Sequence, residues 1–197
     1  MLSEEEMKKV EKYALEKARK LDELHNEDHI LRTVKFAEIL AKREKADIEI
    51  CKVAAFLHDI GQSVKFAGHE ELSTSMAREF LKALKLPEEF IEKVCHAIRC
   101  HDNLYIKNAE TKEAKVVYDA DKLQVIGVFG FRRTLVDLIL LKKLTFKEAM
   151  QKTEEIQKLG TIGEVFRISK KQPDEKYYVC FVGSTSDLKN ELSYIVG

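Results

Sequence analysis

Four residues have the types and surroundings to hold a divalent cation. They are His29 in Asp28-His29-Ile30-Leu31-Arg32, the adjacent pair His58-Asp59 in Phe56-Leu57-His58-Asp59-Ile60-Gly61, and Asp121 in Asp119-Ala120-Asp121-Lys122-Leu123. Two imidazoles and two carboxylates make a mixed nitrogen and oxygen donor set suited to Mn, Fe, Co, Ni, Zn or Mg. Such a set leaves coordination positions for water and a phosphate oxygen, so the ion would acidify the water and stabilise charge building on phosphorus. The adjacent pair is the strongest signal, because the apolar run Val53-Ala54-Ala55-Phe56-Leu57 ends abruptly in two ligand-type residues and a glycine. Neighbours on a helix point about 100° apart, so both reach one ion only if they converge at a helix end. A lone helical histidine is more often solvated or hydrogen-bonded. The chemistry therefore depends on distant segments meeting.

The elements that must bring them together read as helices. Ser3-x-x-Glu6 is a capping box, and Met7, Val10, Ala14 and Ala18 form one stripe behind it. A turn around residues 22 to 25 leads to a helix over 27–43, where Ile30, Val34, Ala37 and Leu40 or Ala41 repeat at helical spacing. Asp47 caps a third helix, over 48–60, with Gly61 placed to stop it. Apolar residues surround that helix, so it should be central. Further helices are predicted over 70–84, from Pro87 to near Cys100, and over 112–125. Gly127 and Gly130 should interrupt the chain before a helix over 132–141, and Thr145-x-x-Glu148 opens another that runs to about 159. Beyond Gly160 the runs Val165–Ile168 and Tyr177–Val182 are β-branched and aromatic, which predicts a β-hairpin, with a short helix over 186–195 closing the chain.

The succession His29, His58-Asp59, Asp121 resembles the HD-domain metal-dependent phosphohydrolases, in particular the branch acting on small molecules. His25-Asn26-Glu27-Asp28-His29-Ile30 is similar to that branch's H-D-x-x-H segment, with Asn26 where many relatives carry Asp. Ala54-Ala55-Phe56-Leu57-His58-Asp59-Ile60-Gly61 fits A-A-x-L-H-D-I-G. Asp119-Ala120-Asp121-Lys122-Leu123, with Ile126-Gly127 after it, resembles D-A-D-R-L and its I-G continuation. The resemblance covers residues 5 to 158 or so. It implies an all-α HD-domain helical bundle over 1–160, with one metal, sometimes two, at its centre, and leaves 161–197 as an appendage of hairpin plus terminal helix. The reaction it implies is hydrolysis of phosphate esters or anhydrides, often of nucleotides.

Within that resemblance the catalytic candidates are Asp59, His69 and His101. The two histidines look like those that relatives place beside the phosphate or a second metal, although local hydrogen bonding at a helix end would also account for them. Arg32 stands three residues after His29 on a neighbouring part of the same face, where a guanidinium could fork onto phosphate oxygens. A surface ion pair with Glu27 or Asp28 is the plainer alternative. His25, Lys122 and Arg132 complete the substrate-binding candidates, with a solvated helix face as the competing account of the two cations. His96 is five residues before His101 and reads as structural, and Asp119 as an outer partner of the ligands.

Composition narrows the choice of function. The 34 basic residues balance 34 acidic ones, so a polymeric nucleic acid would be bound weakly and a small phosphate substrate, a nucleotide above all, is preferred. Two Pro and eight Gly are too few for a many-turned β architecture. Neither a signal peptide nor a membrane span is expected, and the four cysteines (Cys51, Cys95, Cys100, Cys180) read as reduced, buried thiols of a cytoplasmic protein. Homo-oligomers are allowed. Two other functions stay open: a phosphodiesterase for cyclic nucleotides or dinucleotides, which a second metal and an added histidine group would favour, and a non-catalytic regulator that binds a metal or nucleotide.

Overall fold

The computed structural model describes residues 2–21, 25–65, 67–102, 105–125, 127–140 and 142–162. Among these the protein is all-α, with eight α-helices, three short 3-10 turns and no strand. The chain divides into two compact units, Met1–Asp121 and Lys122–Gly197. The predicted hairpin and terminal helix lie outside the described residues.

The first unit is built from α1 (Glu4–Ala18), α2 (Glu27–Glu44), α3 (Ile48–Leu57), a 3-10 turn (Ile60–Ser63), α4 (His69–Ala83), α5 (Glu88–Arg99), a second 3-10 turn (Ile106–Asn108) and α6 (Lys112–Lys122), whose last residue falls in the other unit. Both the Ser3–Glu6 capping box and the Asp47 cap form as the residue types require: Ser3 Oγ accepts from the Glu6 amide at 3.2 Å, and Asp47 Oδ1 accepts from those of Glu49 and Ile50. Helix α3 runs through the middle and packs against α1, α2, α4 and α5. Cys51, Val53, Ala54, Ala55 and Leu57 are all fully buried, which is why its sequence is apolar around the whole circumference. Each large aliphatic side chain buried there contributes on the order of 1.5–3 kcal/mol. Cys51, Cys95 and Cys100 are free and buried, and burial pushes the Cys95 thiol up to about 11. Thiols so disfavoured as thiolates are packing residues.

The second unit contains a 3-10 turn (Leu123–Val125), α7 (Gly127–Leu140) and α8 (Phe146–Ile162), and α7 packs along both of the others. The Thr145–Glu148 capping box opens α8 as expected.

Three details differ from the sequence reading. Helix α3 ends at Leu57 rather than residue 60, so His58 and Asp59 sit at its exit. Gly127 opens α7 and Gly130 lies inside it instead of interrupting it; the propensity cost of Gly130, about 1 kcal/mol, was outweighed by the rest of the helix. Gly61 is not a left-handed helix stop, since Gly68 is the glycine with positive φ among the described residues. No described helix is long and apolar enough to cross a membrane.

Candidate metal centre

Five helix ends deliver the donors. Asn26 caps α2, its Oδ1 accepting from the amides of Asp28 (3.1 Å) and His29 (3.4 Å), so His29 enters on the first helical turn. At the exit of α3, His58 keeps a helical backbone (φ −60°, ψ −36°), whereas Asp59 shifts to φ −106°, ψ 4°. That departure from helical geometry turns the carboxylate toward the imidazole beside it. His69 is the first residue of α4, His101 follows the end of α5, and Asp121 is the next-to-last residue of α6.

The Nε2 atoms of His29 and His58 lie 3.2 Å apart. Asp59 Oδ2 is 3.3 Å from the first and 3.2 Å from the second, and Asp121 Oδ1 is 3.5 and 4.0 Å from them. On the other side of the same carboxylate, Asp59 Oδ1 is 3.2 Å from His69 Nε2 and 3.4 Å from His101 Nε2, which are themselves 3.3 Å apart. Among the described residues two ligand groups result, His29–His58–Asp121 and Asp59–His69–His101, each with donor atoms within 4.8 Å of one another. Asp59 presents one oxygen to each pair of histidines.

The spacing suits coordination. Donors at about 2.1 Å from an ion, in tetrahedral or octahedral arrangement, stand about 3.0–3.4 Å apart, which is the separation found between the facing nitrogens. Ring orientation is set from behind. His58 Nδ1 lies 2.8 Å from the Ala55 carbonyl oxygen and His101 Nδ1 lies 2.6 Å from that of Ile98. Where Nδ1–H donates to the carbonyl three residues back, a neutral ring presents its Nε2 lone pair to a cation, and a protonated ring presents Nε2–H to Asp59.

Burial makes the electrostatics strong. His58 and Asp59 are fully or almost fully buried, as are His29 and His101. Desolvation by itself disfavours the Asp59 charge, but His58 beside it, together with hydrogen bonds from His101, His29 and His58, holds the carboxyl well below the usual carboxylate range. For His58, desolvation would lower the pKa; the charges of Asp59 and Asp121 and the bonds to Asp59 and Ala55 outweigh it and raise the value. Carboxylates gathered among buried imidazoles attract positive charge to this point, whether protons or a metal.

The remaining sequence candidates distribute as follows. The His25 ring stands edge-on to His29 with centroids 5.7 Å apart. Arg32 is half-buried, its guanidinium 5.7 Å from the centre of the Phe36 ring. Lys122 and Arg132 belong to the second unit, where Arg132 is exposed on α7. Asp119 is buried on α6. Sequence reading passed over Glu70, a buried carboxylate with Oε1 3.7 Å from His69 Nδ1, and Ser73, fully buried one turn further along α4. Two consecutive glutamates at a helix start look like dipole complements, so nothing local marked Glu70 as interior.

A helical bundle whose centre gathers four histidines and two aspartates from helix ends defines the class of protein. The HD domain model matches residues 26–126, just over half of the chain, and the protein belongs to the HD domain family. It is 32% identical over 117 residues to the uncharacterised protein YpgQ of Bacillus subtilis, and the match takes in 57% of this chain and 56% of YpgQ. A shorter segment of 78 residues is 37% identical to ribonuclease Y of Cutibacterium acnes, 38% of this chain but 13% of that enzyme. The chain thus matches about half or less of the length of these curated relatives. Among solved structures, the fold is similar to a predicted HD superfamily hydrolase from an uncultured Thermotogales bacterium (TM-score 0.59, 23% identity, 83% of this chain and 91% of that one). It is also similar to Bacillus subtilis YpgQ in complex with ADP (TM-score 0.54, 21% identity, 85% of this chain and 98% of that one).

Proposed function

We propose that this protein is a metal-dependent phosphohydrolase that cleaves phosphate ester or anhydride bonds of a small substrate, a nucleotide above all. The observation that carries the reading is Asp59, whose two oxygens each face a separate pair of imidazole nitrogens. On this reading His29, His58, Asp59 and Asp121 hold one divalent ion, and Asp59, His69 and His101 hold a second. Ions bound there supply Lewis-acid polarisation of phosphate oxygens and an acidified water. The protein's own part is to fix the donors on rigid helix ends, to aim Nε2 of His58 and His101 at the ion through their Nδ1 contacts, and to exclude bulk water by burial. His25, close to His29, and Arg32 are the proposed holders of phosphate oxygens.

The nucleotide preference draws on YpgQ, a relative crystallised with ADP, and on the balanced charge of the chain. A second reading, phosphodiesterase action on cyclic nucleotides or dinucleotides, gains weight from the His69–His101 group, since paired ions clamp both the attacking and the leaving oxygen of a diester.

One experiment separates the readings: anaerobic metal analysis coupled to a panel of nucleoside mono-, di- and triphosphates, cyclic nucleotides, dinucleotides and a short RNA, assayed with Mn, Fe, Co, Ni, Zn and Mg. Release of phosphate or pyrophosphate is the expected result, and it should vanish in His58→Ala together with retained metal while helix content persists. Turnover that survives the loss of metal would refute the mechanism. Stoichiometric metal with no hydrolysis across the whole panel would instead identify a metal- or nucleotide-binding regulator.

A further inference from the structure

The two ligand groups share Asp59, so their usefulness as a pair depends on how closely α4 approaches the exit of α3. That approach is made at Gly61, two residues after Asp59. A β-carbon built on Gly61 would lie 2.5 Å from the His69 carbonyl oxygen, 2.6 Å from the Ser73 amide nitrogen and 2.8 Å from Ser73 Oγ. These atoms belong to the first turn of α4. Two of them, the His69 carbonyl and the Ser73 amide, are the partners of its opening intrahelical hydrogen bond. The backbone of Gly61 therefore rests directly on the turn that carries His69. Since its φ is not positive, the need for glycine here comes from this close approach and not from backbone conformation.

The contact is also bonded. The buried Gly61 N–H donates to Ser73 Oγ at 2.9 Å. The start of α4 has no side-chain cap, its N-cap being Gly68, so no capping side chain shares the work of the Gly61 bond in fixing this turn. Apart from their direct side-chain contact, Asp59 and His69 are joined by two residues of backbone, this hydrogen bond and one helical turn.

We propose that the Gly61–Ser73 contact is a positioning device that sets the distance of the second metal position from the shared carboxylate; the proposal rests on the two-ion reading above. Gly61 and Ser73 act through His69 and do not touch substrate or metal. A methyl group at residue 61 must push the first turn of α4 away by at least about 0.5 Å to clear the His69 carbonyl, which is the whole tolerance of a functional constellation. Loss of the Ser73 hydroxyl loosens the same turn without adding bulk.

The test is a stepwise Mn(II) titration of the full-length protein followed by calorimetry and by electron paramagnetic resonance, on wild type, Ser73→Ala and Gly61→Ala. Circular dichroism reports folding. Wild type should take two equivalents and give the spectrum of a coupled Mn pair. Ser73→Ala should stay folded, bind its first ion within about threefold of wild type, and bind the second roughly 10–100-fold more weakly, the range for residues that orient ligands. At two equivalents its spectrum should change to that of isolated Mn(II). Gly61→Ala should show the same selective loss, and Ser73→Ala carries the test if Gly61→Ala does not fold. A folded Ser73→Ala that binds both ions as wild type does, or that weakens both steps equally, overturns the positioning role. Uptake of one equivalent by wild type overturns the two-ion reading itself, and this proposal with it.

Discussion

Replacing Asp59 by asparagine is the most incisive perturbation of the proposed centre, because one side chain serves both ligand groups. The exchange preserves shape, so the packing around a residue that is 3% exposed should be kept. What disappears is the negative charge and one of two donor oxygens. Opposite unit charges 4 Å apart interact by about 4 kcal/mol at an effective dielectric constant near 20. A bound dication would be both closer and doubly charged, so about 4 kcal/mol is a lower bound, equivalent to roughly three decades of affinity. The asparagine carbonyl can still face one histidine pair, but its amide must then face the other. Asp121→Asn is the matched control. Asp121 Oδ1 lies 3.5 and 4.0 Å from the Nε2 atoms of His29 and His58 and groups with them rather than with Asp59, His69 and His101, so the His69–His101 group should retain its ion. Elemental analysis after gel filtration and calorimetric titration with Mn(II) would read both variants. The expected outcome is loss of both ions in Asp59→Asn and selective weakening of one in Asp121→Asn. Two tightly held ions in a folded Asp59→Asn protein would refute the shared-carboxylate argument.

Asn26→Ala removes the oxygen that caps α2 beside His29 and should cost about 1 kcal/mol of stability, seen as a lower urea midpoint with an unchanged slope. An unaltered midpoint would show that the cap is replaced by water or a neighbour. Metal binding should weaken as pH falls, because each imidazole must lose its proton to coordinate. The His58 pKa is raised above its ordinary value, so protons begin to compete above about pH 6.5 rather than below it. Calorimetry at pH 8 and pH 6, in buffers of different ionisation enthalpy, should detect proton release and lower affinity at the acid end; equal affinity at both would refute this.

How much of this was legible in the chain differs from element to element. The capping boxes at Ser3 and Thr145, the Asp47 cap and the all-round apolarity of α3 are local patterns, and the structure forms each of them. His58-Asp59 stood out because an apolar run ends in two ligand-type residues, and His29 and Asp121 through their motifs' resemblance to HD domains; the structure brings the donor atoms of all four together.

His69 and His101 were balanced between ligand and helix-end histidine, since the sequence around a helix terminus is similar in both cases. Only the meeting of α4 and α5 with the exit of α3 turns their nitrogens onto the far oxygen of Asp59. The end of α3 was misplaced for a related reason. No local breaker precedes Gly61, whereas the buried carboxylate is turned toward His58 beside it and toward His29, His69 and His101 from other helices. Gly61 looked like an ordinary helix stop, yet its missing side chain is required by the backbone of α4, a neighbour twelve residues downstream by way of Ser73. Residue types and periodicity determined which helices form and which side chains can bind a cation. The number of ligand groups, and the single carboxylate they share, came from packing between helices, because distances across a core depend on close approaches that no local pattern encodes.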